Sequence, residues 1–125
     1  MPAISLVVCV HKERTLLARL LKNAGGGYDD LIVVHDGPDT ANMRELVEPA
    51  GGKFFVGPQE YQQEPHWSFA WAQAKYDWIL RLDADEFPGE ELKKWLQTFR
   101  KSPEPAATIS GYTCIWPLWN GQRAV

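Results

Sequence analysis

The chain has 125 residues, 45% hydrophobic and 23% charged, with a formal net charge of −3. That length suits a single domain, 1–125, with enough apolar material for a core. The absence of a basic stripe argues against nucleic acid as a partner, and Leu6 to Val10, the longest apolar run near the N-terminus, is too short to cross a bilayer and follows no basic leader.

Ile4 to Val10 is a continuous, largely β-branched run, as in a strand covered on both faces. His11 to Arg14 breaks it. Leu16, Leu17, Leu20 and Leu21 then recur at helical spacing from Thr15, and Gly25-Gly26-Gly27 stops the helix. Leu31 to Val34 reads as a second strand, running into the turn-rich loop His35-Asp36-Gly37-Pro38-Asp39-Thr40. A short helix is predicted over Ala41 to Glu48, and a third strand over Lys53 to Val56.

Gln59 to Pro65 reads as irregular, and Trp67, Ala70, Trp71 and Ala74 share a helical face. A fourth strand, Asp77 to Leu82, delivers Asp83-Ala84-Asp85-Glu86. A further helix opens at Pro88-Gly89-Glu90-Glu91, with Leu92, Trp95, Leu96 and Phe99 as its apolar stripe. A last strand is expected around Ala107 to Trp116. Trp67, Trp71, Trp78 and Trp95 are expected in the core, and Trp116 and Trp119 either at a sugar site or on the surface. His35 and His66 are expected to be structural or exposed, with no histidine-based metal site.

Strands alternating with helices predict an α/β fold: a mostly parallel sheet with helices on both faces. Ligands of such sheets sit at the carboxyl ends of the strands. Three polar clusters fall there: His11 to Arg14, His35 to Thr40, and Asp83 to Glu86. Carboxylates this close together repel one another, and burial without a partner is costly. A divalent cation, a basic partner or exposure to water would relieve them.

Val33-Val34-His35-Asp36-Gly37 resembles the nucleobase-binding strand end of glycosyltransferase family 2, and Leu82-Asp83-Ala84-Asp85 resembles that family's DxD motif. Ile4 to Val10 and the break at His11-Lys12-Glu13 resemble its opening strand and first loop. The resemblance runs from about Ile4 to Trp116. It implies a GT-A (Rossmann-like) domain, truncated before the acceptor-binding half. It also implies a nucleoside-diphosphate sugar as donor, a UDP-sugar above all, and inverting transfer to a saccharide or lipid-linked acceptor. Mg2+ or Mn2+ would sit on the diphosphate, as hard cations prefer oxygen ligands. Asp85 would bind the metal directly, and Asp83 would reach the ribose or, through water, the metal. Asp36 would accept a hydrogen bond from the base, Cys9 and His11 would flank that base, and Glu13 would complete the nucleotide loop.

The first loop reads Cys9-Val10-His11-Lys12-Glu13 where the family usually has Thr/Ser-x-Tyr-Asn-Glu, and Trp67-Ser68 stands where an Arg-Asn pair is common. The family's catalytic base lies well downstream of the DxD motif, so none is assigned here. The alternative is a non-catalytic nucleotide-binding or interaction domain that keeps the fold. A haloacid-dehalogenase-type phosphatase also uses Asp-x-Asp at a strand end, but on its first strand and followed by Thr or Val rather than Glu86-Phe87. For the individual residues, the competing readings are a solvated helix start for Asp83 to Glu86 and a ligand-free Asp-Gly turn for Asp36. Cys9 and Cys114 have neither metal-ligand nor disulfide-framework spacing, so reduced thiols are expected. The expected location is cytoplasmic, or peripheral to a membrane.

Overall fold

The computed structural model describes residues 1–114. Four strands, β1 (Ile4–Val10), β2 (Asp30–Asp36), β3 (Lys53–Gly57) and β4 (Trp78–Arg81), form one sheet in the order β3-β2-β1-β4. Every pairing is parallel. The helices between and after them are α1 (Arg14–Ala24), α2 (Arg44–Val47), α3 (Glu64–Ala72) and α4 (Glu90–Lys101). The expected α/β, GT-A-type parallel sheet is therefore present.

β1 lies between β2 and β4, and all seven of its residues are buried. This explains its unbroken apolar run: both faces are covered. Leu6, Val8 and Val10 face Leu17 and Leu20 of α1 together with Met43 and Val47. On the same face, Ile4 meets Leu96 and Phe99 of α4. Val7 and Cys9 point the opposite way, toward Ala70 and Trp67 of α3. Three helices thus cover one face and α3 alone covers the other.

That asymmetry corrects the tryptophan expectation. Trp67 and Trp78 are half-buried, but Trp71 and Trp95 are 43% and 41% exposed. Trp71 stacks on Trp67 along the outer flank of α3, where no further helix among the described residues covers it. Trp95 stacks on Phe99 and meets Tyr112 edge-on.

Two elements differ from expectation. α2 is regular only from Arg44, because the Asp39 carboxylate accepts the Met43 and Arg44 amides at 2.7 and 3.1 Å and Asn42 has a φ of +55°. Residues 107–114 form no strand, and the rest of that predicted strand, like Trp116 and Trp119, lies outside the described residues. Gly111 weakens a ladder there, and Tyr112 instead packs on Trp78, Trp95 and Phe99, with ring centroids 5.0–5.8 Å apart. No helix among the described residues is long and apolar enough to cross a membrane.

Candidate nucleotide-binding edge

The chain runs from β1 to β2 to β3 on one side and then returns to place β4 on the other side of β1. The direction of winding reverses between β1 and β4. In open parallel sheets the crevice at such a reversal, beyond the carboxyl ends of the strands, is where ligands bind. Cys9 ends one wall of this crevice and Asp83 follows the other.

The acidic cluster folds into a tight turn. Glu86 Oε1 accepts the Asp83 amide at 2.8 Å, and the Glu86 amide donates to the Asp83 carbonyl at 3.0 Å. Asp83 is half-buried and Asp85 is exposed. Helix α4 begins only at Glu90, with Gly89 as its N-cap residue. Asp83, Asp85 and Glu86 therefore precede the first helical turn, which removes the helix-start explanation of their charge.

Burial, with the neighbouring Asp83 and Asp85 charges adding to it, raises the Glu86 carboxyl above its ordinary 4.5. Burial likewise pushes the Cys9 thiol up to about 11, with Asp83 adding to the rise and Arg81 opposing it. Cys9 is thus a neutral, buried thiol beside the acidic turn, and Cys114 is exposed; neither is in a disulfide.

Among the described residues, no Lys or Arg nitrogen lies within 4.0 Å of Asp83, Asp85 or Glu86, and no three His, Cys, Asp or Glu side chains converge as a ready metal cage. Two carboxylates suit a cation that takes its remaining oxygens from phosphate and water, the usual arrangement for Mg2+. The residues fit a metal shared with a diphosphate rather than one held by protein alone.

The turn also sets a sign for stability. A carboxyl whose folded pKa is raised destabilises the fold when ionised. This cost is absent below the unfolded value and fully developed above the folded one. Glu86→Gln is therefore expected to raise the melting temperature at pH 7 in chelator. The gain should vanish as the pH falls below about 4.5.

At the end of β2, Asp36 is 5% exposed. Its Oδ1 accepts from the Glu60 amide at 2.6 Å and from His66 Nε2 at 2.7 Å, and its Oδ2 accepts the Tyr61 amide at 3.0 Å. Burial pushes this carboxyl up, but the Glu60, His66 and Tyr61 donors outweigh it and hold it below the usual carboxylate range. Of roughly four lone-pair directions on a carboxylate, three are taken.

The first loop is tied to this point. His11 Nδ1 donates to the Asp36 carbonyl at 2.8 Å, which leaves Nε2 as the other ring nitrogen of a half-exposed side chain. Glu13 is turned inward: its carboxylate accepts the His11 amide. Lys12, between them, has a φ of +62°. His35 is buried, donating from Nδ1 to the Gly37 carbonyl at 2.7 Å and accepting the Lys12 amide on Nε2 at 3.3 Å. That wiring fits the structural role expected for it.

The sheet thus gathers Cys9, His11, Glu13 and Asp36 at adjoining strand ends, with Asp83 and Asp85 across the reversal. Sequence reasoning left His66 as structural or exposed; it is 4% exposed and bonded to Asp36, a contact that reading did not place. Its signal was a position four residues before Ala70, on the buried face of α3. Arg81, just before the acidic turn, does not pair with it; its guanidinium lies 4.0 Å over the Trp67 ring. A cavity of about 340 Å3 lies along the outer edge of β4, lined by Trp71, Ile79, Trp95 and Tyr112 among others. Neither Asp36 nor the acidic turn lines it.

The family model for glycosyl transferase family 2 matches residues 5–124. A protein of Rickettsia felis (strain ATCC VR-1525 / URRWXCal2), described as an uncharacterized glycosyltransferase, is 35% identical over 98 residues. The aligned region is 78% of this chain and 32% of that protein, so the chain spans about a third of the length of the curated relative it matches. With the parallel sheet and the family match spanning nearly its full length, the chain belongs to glycosyl transferase family 2.

Proposed function

We propose that this chain binds the nucleoside-diphosphate portion of a sugar donor, most favourably a UDP-sugar, with Mg2+ or Mn2+ between Asp83-Asp85 and the diphosphate. The observation that carries the reading is the juxtaposition of the acidic turn with the β1 and β2 ends across the winding reversal. Asp85, exposed and without a protein partner among the described residues, is the direct ligand. Asp83 lies deeper and serves the ribose or a metal-bound water. A bound cation would offset the charge that builds on the diphosphate as it leaves the sugar.

The base occupies the other end. Cys9 supplies a neutral, compact wall, His11 a ring that can flank the base, and Glu13 holds the loop through the His11 amide. Asp36 has one acceptor direction left for a base N–H, and its other three bonds shape the surroundings. For the whole protein the reading is inverting transfer to a saccharide or lipid-linked acceptor, in the cytoplasm or at a membrane surface. The base that activates the acceptor is not assigned to any residue of this chain.

Calorimetric titration of UDP tests the donor reading. Binding is expected with Mn2+ present and is expected to disappear with chelator. Affinity indifferent to the cation would rule out the shared-metal arrangement.

A further inference from the structure

All three histidines of the chain stand at or beside Asp36, and one of them, His66, reaches its carboxylate from α3. We infer that His66 is a positioning residue for the nucleobase end of the donor site, holding the Asp36 carboxylate and, through it, the Gln59–Tyr61 segment in the shape that receives the base. The inference rests on the proposed function and deepens it.

His66 and Asp36 are 4% and 7% exposed at their side chains, and the Nε2–Oδ1 distance is 2.7 Å. The same carboxylate fixes the Glu60 and Tyr61 amides, and the Asp36 backbone carbonyl holds the His11 ring. One residue therefore joins α3, the segment after β3 and the first loop, and His66 fixes its carboxylate from the side of α3.

Two further observations point the same way. Gly57 makes room for the contact: a Cβ there would lie 2.8 Å from His66 Cε1 and Nδ1. Tyr61 is 81% exposed and has a φ of +60°, a left-handed conformation that a non-glycine residue keeps only when its surroundings impose it. The bond from its amide to Asp36 is such a restraint. α3 keeps its own anchors in Ala70 and Trp67, so the fold does not depend on His66 alone.

The test compares UDP and inorganic pyrophosphate, each with Mn2+, on the parent chain and on His66→Ala, His66→Gln and Gly57→Ala. Gln carries an amide N–H at nearly the reach of imidazole Nε2. His66→Ala and Gly57→Ala are expected to weaken UDP binding about 10–100-fold, the scale typical of losing a group that orients a ligand contact. His66→Gln should recover most of it, and pyrophosphate affinity should be unchanged throughout. Parent-like UDP binding by His66→Ala overturns the inference and leaves the proposed function standing. Equal loss of UDP and pyrophosphate also overturns it, since a collapsed site loses both. If His66→Ala does not fold, Gly57→Ala and His66→Gln decide the matter by the same comparison. A parent chain that binds no UDP with Mn2+ sinks the proposed function, and this inference with it.

Discussion

Asp36→Ala is expected to cost about 3–5 kcal/mol of folding stability, since each buried donor left without its acceptor costs about 1–3 kcal/mol. A domain of this size has about 5–15 kcal/mol in total. The loss strands three donors at once: His66 Nε2 and the Glu60 and Tyr61 amides. The imidazole is the costliest, because it is buried on the α3 side and water cannot replace the carboxylate. The two amides lie in a partly exposed segment and recover some hydration by moving outward, which places the value toward the low end. Asp36→Asn should cost less, since its carbonyl still serves one side while its amide nitrogen faces a donor. Urea unfolding with an unchanged slope reads the difference.

The pH dependence has a definite sign. A carboxyl with a lowered folded pKa contributes stability above its unfolded value, about 3.8 for this group, and that contribution is lost as the pH falls through the folded value. The gap between parent and Asp36→Ala should therefore narrow below about pH 3.8. A gap that holds constant into strong acid would show that packing, not the carboxylate, sets the cost.

Asp85→Ala is expected to do the reverse: little to the fold and much to the site. Asp85 is exposed and accepts no hydrogen bond within the described residues, so its removal should change stability by no more than about 0.5 kcal/mol. Its loss should weaken Mn2+-dependent UDP binding at least ~100-fold, because even groups that merely orient a metal's ligands are worth about 10–100-fold. The residual binding of Asp85→Ala should no longer respond to Mn2+. Asp83→Ala should fall between the two, since the Asp83 backbone is locked to Glu86 and its side chain is half-buried. Measuring stability and affinity on the same preparations separates the aspartate whose loss mainly costs stability from those whose loss mainly costs metal-dependent binding.

Much of this was legible in the sequence because the governing signals are local. An unbroken Ile4 to Val10 run means a strand covered on both faces, and all seven residues are buried. Strand-helix alternation fixed the parallel sheet, and a strand's end fixes which side of the sheet its loop occupies. That is why the acidic turn and Asp36 could be placed on one edge before any coordinates.

Non-local features were not legible. His66 lies thirty positions from Asp36 in the chain, and nothing in Glu64 to Ala72 announces which strand end its helix will cover. Trp71 and Trp95 sit on apolar helical stripes, as core residues do. Their exposure follows from helix placement, with α3 alone on its face and α4 over the β4 end of the sheet, where Ile4, Trp78 and Leu80 receive it. Residues 107–114 carry strand-favouring Thr108, Ile109, Tyr112 and Thr113, but aromatic packing through Tyr112, rather than backbone pairing, holds them. Conversely, Asp39 as the cap of α2 was available in the sequence: an Asp four residues before Met43, in a loop already recognised as turn-rich, shortens the predicted helix from its start.

The central claim is one of place: metal and diphosphate meet at the Asp83 to Glu86 turn, with the base toward Asp36 and His11. Backbone amide NMR of the chain with UDP and substoichiometric Mn2+ measures this directly, because the paramagnetic ion broadens nearby amides. The broadening should centre on Asp83, Asp85 and Glu86, extend to Cys9, and disappear when Mg2+ replaces Mn2+. Shifts from UDP itself should reach His11, Asp36 and Tyr61. Broadening centred on another part of the chain, such as the aromatic edge of β4, would contradict the account.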